Sequence, residues 1–492
     1  MIQSISHVAL LPLYAAAGTA VLVLLVDLTV GKRSAIFGTA AAGALITAVA
    51  AFLSSGQSTF CTGALCSWSG GDASTVITIL FALLTLGVLG LSTRTPAPPG
   101  EFCFLLVCSM AGGVVVAYAG DLVTLIVGLE TLTLPLYVLT GLRRTIAGAS
   151  SAVTFFLVSV VSTAIALLGA GLIYAATGAL HLAALHPHSG LAAFSTEPGT
   201  PLAGFSAPAP GPLLPLASVG VALLVIGFAF KIAAVPLHAW APATYDGAPL
   251  PVAAYLSTAS KLGGVVALAA IVSRLDTGPL IPILAVLTMT VGNLVALRQT
   301  RMVRLLAWSS VAQAGYILAP LSAGVYGVEA ALAYATFFVI LEFIAFAVVV
   351  ALLPPDAHGG DIASYRGVGR RSPWPAAVLV LALSGLAGLP PGLAGLFAKV
   401  TIVDALIDDG WGWLAGVVAV NAVIALAYYI RTAAILYAPA PGIAVADLRL
   451  PKLPIRWPVA ATLIGATALA VILGFFPQLV LSAVGLVSAF PM

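Results

Sequence analysis

The sequence predicts an all-α, polytopic membrane protein with about 14 transmembrane helices, the number of bilayer-length apolar runs it holds. Three observations carry that prediction. Of its 492 residues, 61% are hydrophobic and only 7% are charged. A soluble domain carries roughly 25% charged residues, and a soluble chain this poor in charge would aggregate. The apolar residues form long unbroken runs, and a bilayer needs about 20 of them per helix. The basic residues gather in every second connection. The runs lack the alternation of a β-barrel. Backbone groups cannot stay unpaired in lipid, so the spans are helices. The net charge of +3 gives no sign of nucleic-acid binding.

The first run, 8–30, has no small-residue cleavage site behind a short apolar core, so it reads as a retained span and not as a signal peptide. Lys32 and Arg33 follow it. Spans 35–53 and 73–91 come next, and between them the stretch CTGALC holds Cys61 and Cys66. An oxidising outer compartment permits a disulfide there. Cys103 and Cys108 fall in an apolar run and read as small packing residues. The remaining spans are 101–119, 121–141, 151–177, 213–240, 249–272, 279–298, 303–321, 328–353, 374–400, 411–437 and 457–484.

Counting alternately from an outer N-terminus, the inner connections carry Lys32, Arg33, Arg94, Arg143, Arg144, Arg298, Arg301, Arg304, Arg366, Arg370, Arg371, Arg431, Arg449, Lys452 and Arg456. The outer connections carry Arg274 alone. The positive-inside rule therefore places both termini outside. The long outer connection 178–212 contains His181, His186 and His188. No carboxylate or thiol clusters with them, so an ordinary surface loop is expected, not a metal site. The chain shows no CxxC pattern, phosphate-binding glycine loop or nucleophile elbow, and no cofactor site is expected.

Six of the ionisable residues inside the spans stand out: Asp27, Glu130, Lys231, Lys261, Glu342 and Lys399. A charge at the bilayer centre costs roughly 2.5–3.5 kcal/mol on insertion scales, so such groups pair, face the interior or line a water path. Asp27 lies close enough to Lys32 and Arg33 to reach the interface by snorkelling. Glu130, Lys231 and Lys261 are too central for that. Pro236 interrupts the span just after Lys231 and just before His238. A second break, SGLAGLPPGLAGLFAK (384–399), precedes Lys399. Two interrupted helices, one in each half and each with its own lysine, suggest an inverted repeat with charge sites at the breaks. Desolvation works against an ammonium, which suits a buried lysine to carrying a releasable proton.

The stretch GDLVTLIVGLETLTLPLYVLTGL (120–142), with KIAAVPLHAWAPATYDGAPLPVAAYLSTASK (231–261), closely resembles the antiporter-like membrane subunits of complex I. GNLVALRQTRMVRLLAWSSVAQAGY (292–316), SYRGVGRRSPW (364–374), the second break and NAVIALAYYIR (421–431) extend the resemblance over about residues 100–437. The YDGAP…STASK wording is similar to the N subunit, not to the L or M subunits. The resemblance implies residues 1–100 as helices 1–3, 101–272 and 279–437 as two inverted five-helix repeats, and 457–492 as helix 14. It implies a proton relay in which Glu130 pairs with Lys231, Lys261 is the central lysine and Lys399 the lysine of the second break. His238, in the PxHxW element, is a bridging candidate.

No cofactor is implied in this subunit, with FMN, iron–sulfur clusters and quinone held by partner subunits. The implied partners are the antiporter-like M subunit, the small K subunit, the lateral helix of the L subunit and the lipid bilayer. The chain departs from its relatives at Ser150, at Thr154–Phe155, where Lys-Tyr is common, and at Gln313, where His is common. Glu342 stands where a small amide is usual, either as a substitute relay group or as a carboxylate kept neutral by a hydrogen bond. A cation/proton antiporter subunit of the multisubunit sodium type, or a membrane-hydrogenase subunit, is the alternative reading. A plain membrane scaffold would leave three buried lysines unexplained.

Overall fold

The computed structural model describes residues 5–185, 214–352, 358–439 and 455–485. Each apolar run is helical. The first runs form α1 (Leu11–Thr29), α2 (Arg33–Leu53), α3 (Asp72–Leu91), α4 (Pro99–Tyr118), α5 (Leu122–Gly141) and α6 (Ile146–Thr177). The seventh run is split into α7 (Leu214–Lys231) and α8 (Trp240–Gly247). The eighth is α9 (Leu250–Tyr255), a π-helical segment Leu256–Ser260, and α10 (Lys261–Val272). Next come α11 (Leu280–Ala296), α12 (Met302–Leu321) and α13 (Val325–Leu352), then the short α14 (Val368–Arg371). The second break separates α15 (Pro373–Ala387) from α16 (Leu393–Asp408). The chain continues through α17 (Gly412–Tyr437), α18 (Trp457–Phe475) and α19 (Gln478–Gly485).

Among the described residues, 10 helices are long and apolar enough to cross a membrane, and three shorter apolar ones accompany them. Two of the three are α7 and α15, shortened because the chain unwinds behind them. Thr59–Thr62 (β1) and Leu65–Trp68 (β2) form an antiparallel hairpin that pairs Cys61 with Cys66. A run of four residues on each side carries too little periodicity to announce a strand.

Small residues let the helix backbones approach. A Cβ on Gly112 of α4 would stand 2.1 Å from the backbone N of Leu132 on α5, and one on Gly292 of α11 would stand 2.6 Å from the N of Ala312 on α12. Close approach of this kind is how helices pack in lipid, where apolar side chains gain nothing by leaving the solvent. α9 and α10 lie deepest, in a span wholly buried, and α13 packs with Phe337, Phe338, Leu341 and Phe346 all buried. The outer helices turn apolar side chains outward, among them Leu28 at 82% and Val423 at 69% exposure, as a lipid-facing surface requires.

Connections expected on one side of the membrane touch one another. Arg143 donates to the carbonyl of Asp246, Arg301 pairs with the Asp246 carboxylate at 2.6 Å, and Arg301 bridges to Asp361 through backbone bonds. Arg33 donates to the carbonyls of Ser92 and Thr95. On the other side, Trp68 pairs with Ala119 and Asp121 with His181. His186, His188, Arg449 and Lys452 lie outside the described residues.

Candidate functional site

The first charge centre forms where α5, α6 and α7 meet. Lys231 closes α7, and the chain beyond it turns through Ala233, held at φ +61. The interrupted backbone is secured from outside. Trp240 Nε1 donates to the carbonyl of Phe230, and Val235 N–H donates to Thr288 Oγ1 on α11. Lys231 Nζ donates to Glu130 Oε1 at 2.6 Å, to Ser159 Oγ at 2.8 Å and to Thr133 Oγ1 at 3.3 Å. Those three acceptors match the three protons of an ammonium. Thr163 donates to the same Glu130 oxygen, and Tyr137 OH donates to Ser159 at 2.5 Å. The pair is buried, with side-chain exposures of 3% for Lys231 and 20% for Glu130.

Lys261 stands where the π segment returns to α-helix. A π-bulge shifts the register of the following residues and is frequent at functional sites. Its Nζ donates to the Ser310 carbonyl of α12 at 2.5 Å. Glu342 of α13 is fully buried, and neither carboxylate oxygen has a hydrogen-bond partner among the described residues. Ser310 Oγ, Trp308 Nε1, Thr244 Oγ1 and His238 Nδ1 are likewise buried and unpartnered. These groups lie on α8, α12 and the first break. His238 rests on Trp308 with ring centroids 5.1 Å apart, and no hydrogen bond joins it to either lysine among the described residues.

At the second break, α15 ends in Gly388 at φ +82, a conformation that favours glycine. Lys399 folds back from α16 to donate to the carbonyls of Ala387 (2.6 Å) and Leu386 (3.1 Å). These are the exposed carbonyls of a broken helix end, where a cation is favoured. Its Nζ also lies 5.0 Å from the centre of the Tyr316 ring.

Polar side chains fill the space between Lys261 and Lys399. Ser309, next to Ser310, shares a hydrogen bond of 2.5 Å with Tyr429 OH. Gln313 Nε2 donates to Tyr429 OH at 3.0 Å and to the same Leu386 carbonyl that Lys399 uses. Tyr334 OH donates to Gln313 Oε1. Gln313 thus holds a central position in this network.

Sequence reasoning missed Thr133, Ser159 and Thr163 around Lys231, and Ser309, Tyr334 and Tyr429 beyond Lys261. One signal was present: Thr133 lies one turn after Glu130, and Ser159 and Thr163 one turn apart, each facing the same way along its helix. Cys61 and Cys66 are joined across the hairpin. No group of three or more His, Cys, Asp or Glu suited to a metal occurs among the described residues.

Paired and networked charges at two helix breaks, inside a bundle of apolar helices, define a membrane protein of the ion-translocating class. The chain belongs to the NADH:quinone oxidoreductase/Mrp antiporter membrane family, whose model matches residues 119–425, and within it to the NADH-quinone oxidoreductase subunit N group. It is 55% identical to NADH-quinone oxidoreductase subunit N of Salinispora tropica over 98% of this chain and 99% of the relative. It is 43% identical to subunit N 2 of Streptomyces griseus, over 90% of this chain and 84% of the relative. Its structure superimposes on a chain of respiratory complex I from Thermus thermophilus with a TM-score of 0.79 at 28% identity, covering 96% of this chain and 99% of that one. A chain of the Mrp complex from Dietzia matches with a TM-score of 0.78 at 21% identity, covering 98% and 96%, and shares the fold.

Proposed function

We propose that this chain is the proton-translocating N subunit of an NADH:quinone oxidoreductase, with Glu130, Lys231, Lys261 and Lys399 as its proton stations. The observation that carries the proposal is the polar chain from Lys261 through Ser309–Ser310, Tyr429 and Gln313 to the carbonyl that Lys399 shares. Glu130 tunes Lys231 by direct pairing, and Glu342 acts on Lys261 through space. An opposite charge about 4 Å away in a partly wet interior contributes about 4 kcal/mol at an effective dielectric near 20. Desolvation opposes the same charge by a comparable amount. The two nearly cancel, so a small change of geometry at either break moves a proton. The unpartnered polar atoms of α8, α12 and the first break, with His238 among them, suit a water-bridged step at that break. Lys399 hands the proton onward.

In this reading residues 101–272 and 279–437 are inverted five-helix repeats of a protein with 14 spans, and both termini face the outside of a bacterial plasma membrane. The paired glycine contacts at α4–α5 and α11–α12 support the repeat. The redox groups, FMN, iron–sulfur clusters and quinone, belong to partner subunits. The neighbours are the M subunit, the K subunit and the lateral helix of the L subunit. The test is Lys261→Ala in assembled complexes checked for subunit content, reading NADH-driven proton uptake beside NADH:quinone activity. Uptake through this subunit is expected to stop and quinone reduction to slow. Lys261→Arg is expected to be poor as well, because arginine does not release its proton. Full pumping by Lys261→Ala refutes the relay.

A further inference from the structure

A groove of about 1570 Å³ runs along the outside of the bundle between α2, α3, α13 and α18, and none of the four charge stations lines it. Its walls are apolar, with Leu83 and Leu469 among the lining residues. It is larger than the roughly 300–1,000 Å³ of a typical small-molecule site. One end is different in kind. Lys32, Arg33 and Arg456 lie there, and no acidic residue lines the groove among the described residues. The same end receives the first turns of α2 and α18, whose cap positions, Lys32 and Arg456, make no side-chain capping bond. Two helix N-termini, that of α18 with Pro458 in its first turn, and three cations form an anion-binding corner. Trp457, 80% exposed, stands at that corner as an interfacial tryptophan does at headgroup depth.

We propose that this groove is a binding site for an anionic diacyl glycerophospholipid, its phosphate at Lys32 and Arg456 and its acyl chains along α3 and α18. Charge complementarity selects this occupant. A transmembrane helix of a partner would bring its own inner-side Lys and Arg to the same corner, because basic residues cluster on that side of membrane proteins generally. Arg33 is already engaged with the connection after α3 through the carbonyls of Ser92 and Thr95, so it contributes charge while Lys32 and Arg456, both exposed, supply the adjustable contacts. The acyl region offers room at Gly38 and Gly465, where an added Cβ would meet nothing within 4 Å.

The experiment uses the purified native assembly reconstituted in nanodiscs with a phosphatidylglycerol carrying a diazirine in its acyl chain, and separately with the matching phosphatidylcholine. After illumination, labelled peptides are mapped. The expected result is labelling around Leu83 of α3 and Leu469 of α18, with phosphatidylglycerol favoured. Lys32→Gln combined with Arg456→Gln is expected to reduce phosphatidylglycerol labelling by roughly thirtyfold, as the loss of two cations beside an anionic headgroup implies, and to erase the preference. Gly465→Leu projects into open space, leaves the packing intact and is expected to reduce labelling by both lipids. Equal labelling by the two lipids in the unaltered protein overturns the proposal. So does unchanged labelling in the double variant, or the absence of label on these segments because a protein helix lies there.

Discussion

Glu130→Ala separates a structural ion pair from a working one. Lys231 and Glu130 are 2.6 Å apart, and the lysine side chain is only 3% exposed. Removing the carboxylate leaves the ammonium with Ser159 and Thr133 as neutral acceptors, and leaves Thr163 Oγ1 bonded to the Ser159 carbonyl alone. Breaking a buried pair from one side costs about 3–5 kcal/mol, because an uncompensated charge stays behind. Glu130→Ala is therefore expected to lower the thermal stability of the assembled complex. It is also expected to impair NADH-driven proton uptake as strongly as Lys231→Ala does. Glu130→Asp keeps the charge at a longer reach and is expected to be milder. Adding Lys231→Met to Glu130→Ala removes the stranded charge, so stability should recover by a large part of that cost while uptake does not. Uptake is measured beside NADH:quinone activity, and stability by thermal denaturation in detergent. Full pumping by Glu130→Ala in normally assembled complexes would show that the pair only holds α5 to α7. A double variant as unstable as the two single variants summed would show that the cost lies in lost packing rather than in charge.

Three further outcomes are expected. Gln313→Leu removes the link between Tyr429 and the Leu386 carbonyl and is expected to depress uptake severely, whereas Gln313→His restores a donor and acceptor and largely preserves it; equal uptake in the two variants would count against the polar chain. The Cys61–Cys66 bridge closes a very short loop and contributes at most about 2–3 kcal/mol, so Cys61→Ser is expected to leave pumping intact; two free thiols by mass spectrometry in protein isolated without reductant would refute the bridge. Single cysteines at the exposed positions Asp276 and Ser364 are expected to react with an impermeant thiol reagent from opposite sides of the membrane, and reaction from one side would overturn the topology.

The sequence by itself determined the class of fold and the charged residues that matter. Apolar runs of bilayer length have one solution for their backbone groups, so helices follow from composition without knowledge of neighbours. A lysine or glutamate in such a run is conspicuous because its cost in lipid is high, and Pro236 and Pro390–Pro391 mark the breaks by removing donors. The tertiary structure decided which groups meet. Lys231 and Glu130 are 101 residues apart in the chain, and Lys399 reaches carbonyls released by a helix end. Neither contact has a local signature. Serine, threonine and tyrosine are cheap to place on any membrane helix, because a hydroxyl can bond back to its own turn, as Thr133 does to Leu129. Their presence in the sequence therefore does not say which of them face a lysine; only the packing of α5, α6 and α7, and of α12, α13 and α17, selects Ser159, Thr163, Gln313 and Tyr429. The hairpin at Cys61 and the π segment before Lys261 were hidden for the same reason: each is a local departure that its neighbours hold in place, not its own residues.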